Sequence, residues 1–124
     1  MRLLRRLLLA LWLALVVLAS LIPRVPRADA VAWFPGADRV GHAVAYGVLC
    51  VLAVWAFGGR GRRVLVMAGL GAVVLGVLLE CVQPLTGRTF DLTDMAANAA
   101  GAGLGLVGML LARRIAVGGS AVGD

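Results

Sequence analysis

Apolar residues in this chain do not alternate with polar ones at either the helical or the strand period; they run on in blocks. Four such blocks span about Leu3–Ile22, Val40–Phe57, Val64–Val82 and Met95–Ala112. Each is close to the roughly 20 residues that a helix needs to cross a bilayer. The segments between them have the composition of turns. "PRVPRADAVAWFPGAD" holds Pro23, Pro26 and Pro35, "GGRGRR" is short and basic, and "PLTGRTFDLTD" carries Pro84 and Gly87. The pattern predicts an all-α protein, a bundle of four transmembrane helices forming one domain over residues 1–124.

Composition supports that reading. Of 124 residues, 62% are hydrophobic, and the mean hydropathy is +1.01. A water-soluble domain of this size has too much surface to cover for so apolar a chain, so the bilayer is the expected solvent. Twelve basic residues against six acidic ones give a net charge of +6. In a soluble protein that excess would suggest nucleic acid. Here the arginines flank apolar blocks and form no face interleaved with aromatics, and no nucleic-acid partner is expected.

The arginines also orient the chain. Eight of the twelve lie at the N-terminus, in the second connection or at the C-terminus: Arg2, Arg5, Arg6, Arg60, Arg62, Arg63, Arg113 and Arg114. Arg24, Arg27, Arg39 and Arg88 lie on the other side. The positive-inside rule then predicts a multi-pass protein of the cell membrane, both termini cytoplasmic and the first and third connections outside. The basic start, the apolar run and "ADA" at 28–30 have the outline of a secretory signal. The run is long for one, and the alanines lie beyond two prolines and two arginines, so an uncleaved helix is expected.

Under this topology the unusual polar residues gather at the outer end. Asp38, Arg39 and His42 open the second block, with Tyr46 one turn on; Glu80 and Gln83 close the third; Arg88 and Asp91 lie in the third connection; Asp94 and Asn98 open the fourth. At 100° per residue, Asp94, Asn98, Gly101, Gly105 and Gly108 share an arc of roughly 80°, as do Gly69, Ala72, Gly76, Glu80 and Gln83. Small residues let helices approach closely in lipid. Helices 2, 3 and 4 are therefore expected to pack through these stripes, with Gly76, Gly101, Gly105 and Gly108 as packing positions.

Plainer roles compete with a site. Asp38 and Asp91 (or Thr93) suit helix N-caps, and Gln83 and Asn98 suit interhelical hydrogen bonds. Trp12, Trp33, Trp55 and Tyr46 suit packing or the membrane interface. Glu80 stands apart, because a carboxylate within an apolar span costs several kcal/mol unless neutralised or paired (about 2.5–3.5 at mid-membrane). Arg88 and Arg39 are its expected partners, with His42 in reach. No Cys/His metal spacing occurs and the chain has one histidine, so no metal and no cofactor are expected. Cys50 and Cys81 read as small hydrophobes.

Read in order, these residues resemble the VanZ-like family of small bacterial membrane proteins. "GADRVGHAVAYGVL", Gly36–Leu49, is similar to its D-K/R-x-x-H-x-x-x-Y opening, with Arg39 where lysine is common. "ECVQPLTGRTFDLTDMAANAAGAGLG", Glu80–Gly105, is similar to its E-x-x-Q, G-R and D-x-x-x-N-x-x-G block, and "SLIP", Ser20–Pro23, also fits. The resemblance covers about Ser20–Leu111. It implies an association with resistance to glycopeptides of the teicoplanin type, and it transfers no catalytic residues. The expectation is an outward polar pocket that binds a cell-envelope lipid or glycopeptide rather than an enzyme. The alternatives are a membrane-embedded enzyme on a lipid-linked substrate, using Asp38–His42 or Glu80 as acid and base, and a non-catalytic accessory subunit that holds a membrane protein partner through its helices, which the small size and the glycine-rich fourth helix favour.

Overall fold

A computed structural model describes residues 1–23, 35–58 and 61–118, with side chains as far as Ile115. Arg24, Arg27, Trp33 and Arg60 lie outside the described residues. Among the described residues there are four α-helices: α1 (Arg2–Leu21), α2 (Ala37–Ala56), α3 (Arg62–Val82) and α4 (Leu92–Gly118). All four are long and apolar enough to cross a membrane. The chain is an all-α, four-helix, multi-pass membrane protein.

Local chemistry sets the helix ends. Ile22 turns extended (ψ 126°) at the end of α1, as a residue before proline must. Gly36, in the left-handed region at φ 86°, enters α2, and Gly58 (φ 68°) follows its end. Asp38 therefore lies inside the first turn of α2 and is not its cap. After α3 the chain tightens into a 3-10 turn, Gln83–Thr86, which Gly87 closes at φ 80°. There the Gln83 carbonyl accepts from the Arg88 amide (3.2 Å) and the Thr86 hydroxyl (2.9 Å).

Two helices depart from the apolar blocks. α2 starts three residues before Val40 and α4 three before Met95, because polar first turns are invisible to hydropathy yet favourable at a helix N-terminus. Asp91 caps α4. Its carboxylate accepts from the backbone amide and the hydroxyl of Thr93, both at 2.7 Å, which satisfies an amide that the helix cannot. α4 also runs past Ala112, since arginine and alanine favour helix whatever their hydropathy.

The helices alternate in direction, so α2 and α4 run parallel, and they form the most extensive contact in the bundle. Their seam is backbone on backbone. A Cβ added at Gly101 would collide with the Ala43 backbone, and one at Gly105 would lie 2.5 Å from the Gly47 carbonyl. Gly47 itself faces Gly101. The α2 half of this seam is thus Ala43 and Gly47, one position round from His42 and Tyr46. On α3, Gly76 makes room for Asn98 and Tyr46, and Gly69 for Leu106. Gly108 does not belong to the packing set: it is exposed, with open space where a Cβ would be.

α1 leans on α2 through two tryptophans. Trp12 Nε1–H donates to the Ala45 carbonyl at 2.9 Å, and the Arg5 guanidinium lies 4.8 Å from the centre of the Trp55 ring. Cys50 is buried, its thiol reaching the Ala68 carbonyl at 3.6 Å, while Cys81 is exposed. Neither cysteine lies among the polar residues of the site.

Candidate functional site

At the end of the bundle that bears the first and third connections, the interior is polar. Tyr46 from α2, Glu80 and Gln83 from α3, and Asp94 and Asn98 from α4 are each at most 3% exposed. Helical phase explains how they meet. Gly76 lies one turn below Glu80 on the same face, and its missing side chain is the space into which Asn98 and Tyr46 fit. The α2–α4 glycine seam then draws His42 onto the α4 pair. His42 Nδ1 lies 2.9 Å from Asn98 Oδ1, and its Nε2 lies 3.4 Å from Asp94 Oδ2.

The geometry revises the pairing expected for Glu80. Neither Arg88 nor Arg39 is its partner. Glu80 Oε2 accepts from the backbone amide of Asp91 at 3.2 Å, so it holds the approach to α4. Arg88 instead crosses to α1, where Nη1 donates to the carbonyls of Ala19 (3.2 Å) and Ser20 (3.0 Å). These are end-of-helix carbonyls, which a cation satisfies well. Arg39 donates through Nε to the Thr93 hydroxyl at 3.0 Å, and that hydroxyl bonds Asp91 in turn. The Thr93 hydroxyl is the first cause, and the Thr93 amide and Arg39 further causes, of an Asp91 carboxyl held below its usual range. Asp91 and Arg39 thus serve the start of α4.

The cluster keeps unused hydrogen-bonding capacity. Tyr46 Oη, Glu80 Oε1, both amide atoms of Gln83 and Arg88 Nε are buried with no hydrogen-bond partner. Native interiors leave few such atoms, and each costs roughly 1–3 kcal/mol.

Beside the cluster a groove of about 710 Å³ opens between α1 and α2. Asp38, His42, Tyr46 and Arg88 form its polar wall, and Val16 and Ala19 contribute to the apolar one. Of the residues expected to form a pocket, these four line the groove; Glu80, Gln83, Asp94 and Asn98 lie behind it, and Arg39 and Asp91 stand aside at the α4 cap. Ser20, buried and lining the groove, stood in the sequence only as part of "SLIP" and not among the pocket residues, because its environment depends on α1 docking against the third connection.

Asp38, His42 and Asp94 also offer one ligand atom each within 4.8 Å of one another. Spacing along the chain had suggested no metal. Asp38 and His42 are an i, i+4 pair, but Asp94 joins them only through the tertiary fold. No family model, curated protein or solved structure matches the chain.

Proposed function

We propose that this is a VanZ-like protein of the bacterial cell membrane whose polar end faces outward and binds an anionic cell-envelope ligand there. Both termini and the second connection are then cytoplasmic. The ligand class is a phosphate-bearing lipid headgroup, such as that of a phospholipid or a lipid-linked wall precursor. Sequestering or presenting such a lipid is how the protein would contribute to resistance against glycopeptides of the teicoplanin type.

One observation carries the reading: a ligand-sized groove whose polar wall includes Arg88 and His42 and whose other wall is apolar. Ligand sites commonly have about 300–1,000 Å³ and few polar groups set in apolar lining. An amphipathic lipid matches that division. Arg88 suits phosphate, because a guanidinium presents several donors in a fixed plane, and Nε is still unpartnered. Tyr46, lining the same groove, adds a buried hydroxyl donor.

The second reading, an enzyme on a lipid-linked substrate, rests on His42 being held between Asn98 and Asp94, an arrangement that can orient a proton-transferring imidazole. The accessory-subunit reading rests on the small size of the chain, while Gly101 and Gly105 pack against α2 of the same chain.

The test is a resistance and lipid-capture assay on full-length protein. Alanine at Glu80, Arg88 or Asp94 should abolish the drug phenotype and the co-purified phosphate lipid while the protein stays in the membrane. Retention of both properties in all three variants overturns the proposal. Turnover of a lipid-linked substrate by purified protein, lost in His42→Ala, would favour the enzyme. Reporters fused near Gly61 and after Asp124 should both read cytoplasmic; an external signal at either reverses the orientation.

A further inference from the structure

We infer that Asp38, His42 and Asp94 form a binding site for a divalent transition-metal ion of the zinc class, with one coordination position open to the α1–α2 groove. The inference stands on the geometry of these three residues and holds whatever the groove binds.

The first argument is the orientation of the histidine. His42 Nδ1 lies 2.9 Å from Asn98 Oδ1, a carbonyl oxygen able to accept from an Nδ1–H. The other ring nitrogen, Nε2, faces the Asp94 carboxylate. A ligating histidine is characteristically held this way, its second ring nitrogen donating to a carbonyl or carboxylate behind it. Asn98 is that support, itself buried and seated in the space left by Gly76.

The second argument is distance. Nε2 and Asp94 Oδ2 are 3.4 Å apart, long for a charge-assisted hydrogen bond, which runs at about 2.7–2.9 Å. Two ligands at about 2.0–2.1 Å from a tetrahedral ion are separated by about 3.3–3.4 Å. Asp38, exposed and one turn before His42 on the same face of α2, brings the set within 4.8 Å, so its flexible side chain must close in for all three ligands to reach one ion at about 2.0–2.1 Å. Two carboxylates and a neutral imidazole supply the charge that balances a divalent cation. The mixed oxygen and nitrogen donors suit zinc and its first-row neighbours better than magnesium or calcium.

The third argument is the open side. Asp38 and His42 line the groove, and Tyr46, one turn beyond His42, lines it too with its hydroxyl buried and unpartnered. Three protein ligands with a fourth position free is the arrangement of a metal that takes an exogenous ligand, unlike the closed four-ligand sites that serve structure. A bound ion would place positive charge beside Arg88, on the wall where an anion is recognised.

Zinc alone and cobalt(II) alone, added to chelator-stripped full-length protein in detergent, test the site. One ion should bind per chain, and the cobalt form should show the intense visible bands of a four-coordinate ion. Asp38→Asn, His42→Gln and Asp94→Asn should each weaken binding at least 100-fold with helix content unchanged. Asn98→Ala should weaken it about 10- to 100-fold, as loss of a supporting partner does. The Cys50→Ser/Cys81→Ser double variant should bind like the parent, since neither thiol belongs to the set. Absence of uptake by folded parent protein, binding indifferent to His42→Gln, or binding abolished by the cysteine pair overturns the site. Should the ligand variants unfold, the parent protein decides: the weak spectrum of six-coordinate cobalt overturns it.

Discussion

Two grooves of nearly equal size enter the bundle at opposite ends, and their walls differ. The one between α1 and α2 near the third connection has about 710 Å³ and is lined by Asp38, His42, Tyr46 and Arg88 among small apolar residues. The other has about 720 Å³ and is lined by Leu13, Leu49, Phe57, Met67 and Leu75, with Arg63 at its edge. Volume does not distinguish them. In a membrane, an apolar cleft between helices needs no ligand beyond the lipid tails that surround it. A cleft backed by carboxylates, amides and a phenol with unmade hydrogen bonds calls for a polar occupant. The proposed site therefore rests on the chemistry of the wall and not on its volume.

The sharpest way to break the comparison is through the seam that assembles the polar wall. Gly101→Leu should have the largest effect, because its side chain would displace α4 from the Ala43 backbone and carry Asp94 and Asn98 away from His42. Even Gly101→Ala should cost about 1–3 kcal/mol or more, read as a fall in the thermal unfolding midpoint in detergent. Gly108→Ala, on the same helix but facing open space, should be neutral or slightly stabilising. Equal losses at both glycines would mean that α2 and α4 do not meet at this seam.

Next in size is a pair of groove-filling changes. Gly41 and Gly71 are each exposed with open space at the Cβ position, and they line the polar and the apolar groove respectively. Gly41→Leu should lower phosphate-lipid binding about tenfold, some 1.4 kcal/mol, while Gly71→Leu leaves it unchanged. The comparison inverts if Gly71→Leu is the damaging one.

Smaller again is the contribution of Arg88 to the fold. Arg88→Ala removes two hydrogen bonds to the last carbonyls of α1, so hydrogen exchange of that turn should accelerate while α2–α4 protection is retained. Arg88→Lys should restore part of the protection without restoring phosphate binding, because an ammonium lacks the planar fork.

The smallest effect belongs to the α4 cap. Hydrogen bonds from Thr93 lower the Asp91 carboxyl from its ordinary value. A lowered folded-state value means that this contribution is complete above the ordinary carboxylate range, about pH 4, and is lost as pH falls through the lowered value. Thr93→Ala should therefore fray the first turn of α4 slightly at neutral pH and flatten its response to acid. Exchange rates at Leu92–Met95 measure it, and an unchanged acid response would remove Asp91 from that role.

Much of this architecture was legible along the chain, because in lipid a backbone must satisfy its own hydrogen bonds. That requirement makes four apolar blocks of the right length four helices, and the 3.6-residue period places Glu80 above Gly76 and Asn98 above Gly101 and Gly105. The end at which polar residues collect followed from order alone. Who pairs with whom did not. Arg88 stood near Glu80 in sequence, yet it bonds α1 while Glu80 holds the Asp91 amide, since a long flexible cation goes where unsatisfied carbonyls lie. Asp94 lies 52 residues from His42 along the chain, and only the backbone contact of Gly101 with Ala43 brings it beside Nε2. Periodicity determined which face of each helix is polar; the depth and register at which two such faces meet is a property of their packing, and the tertiary structure alone decided it.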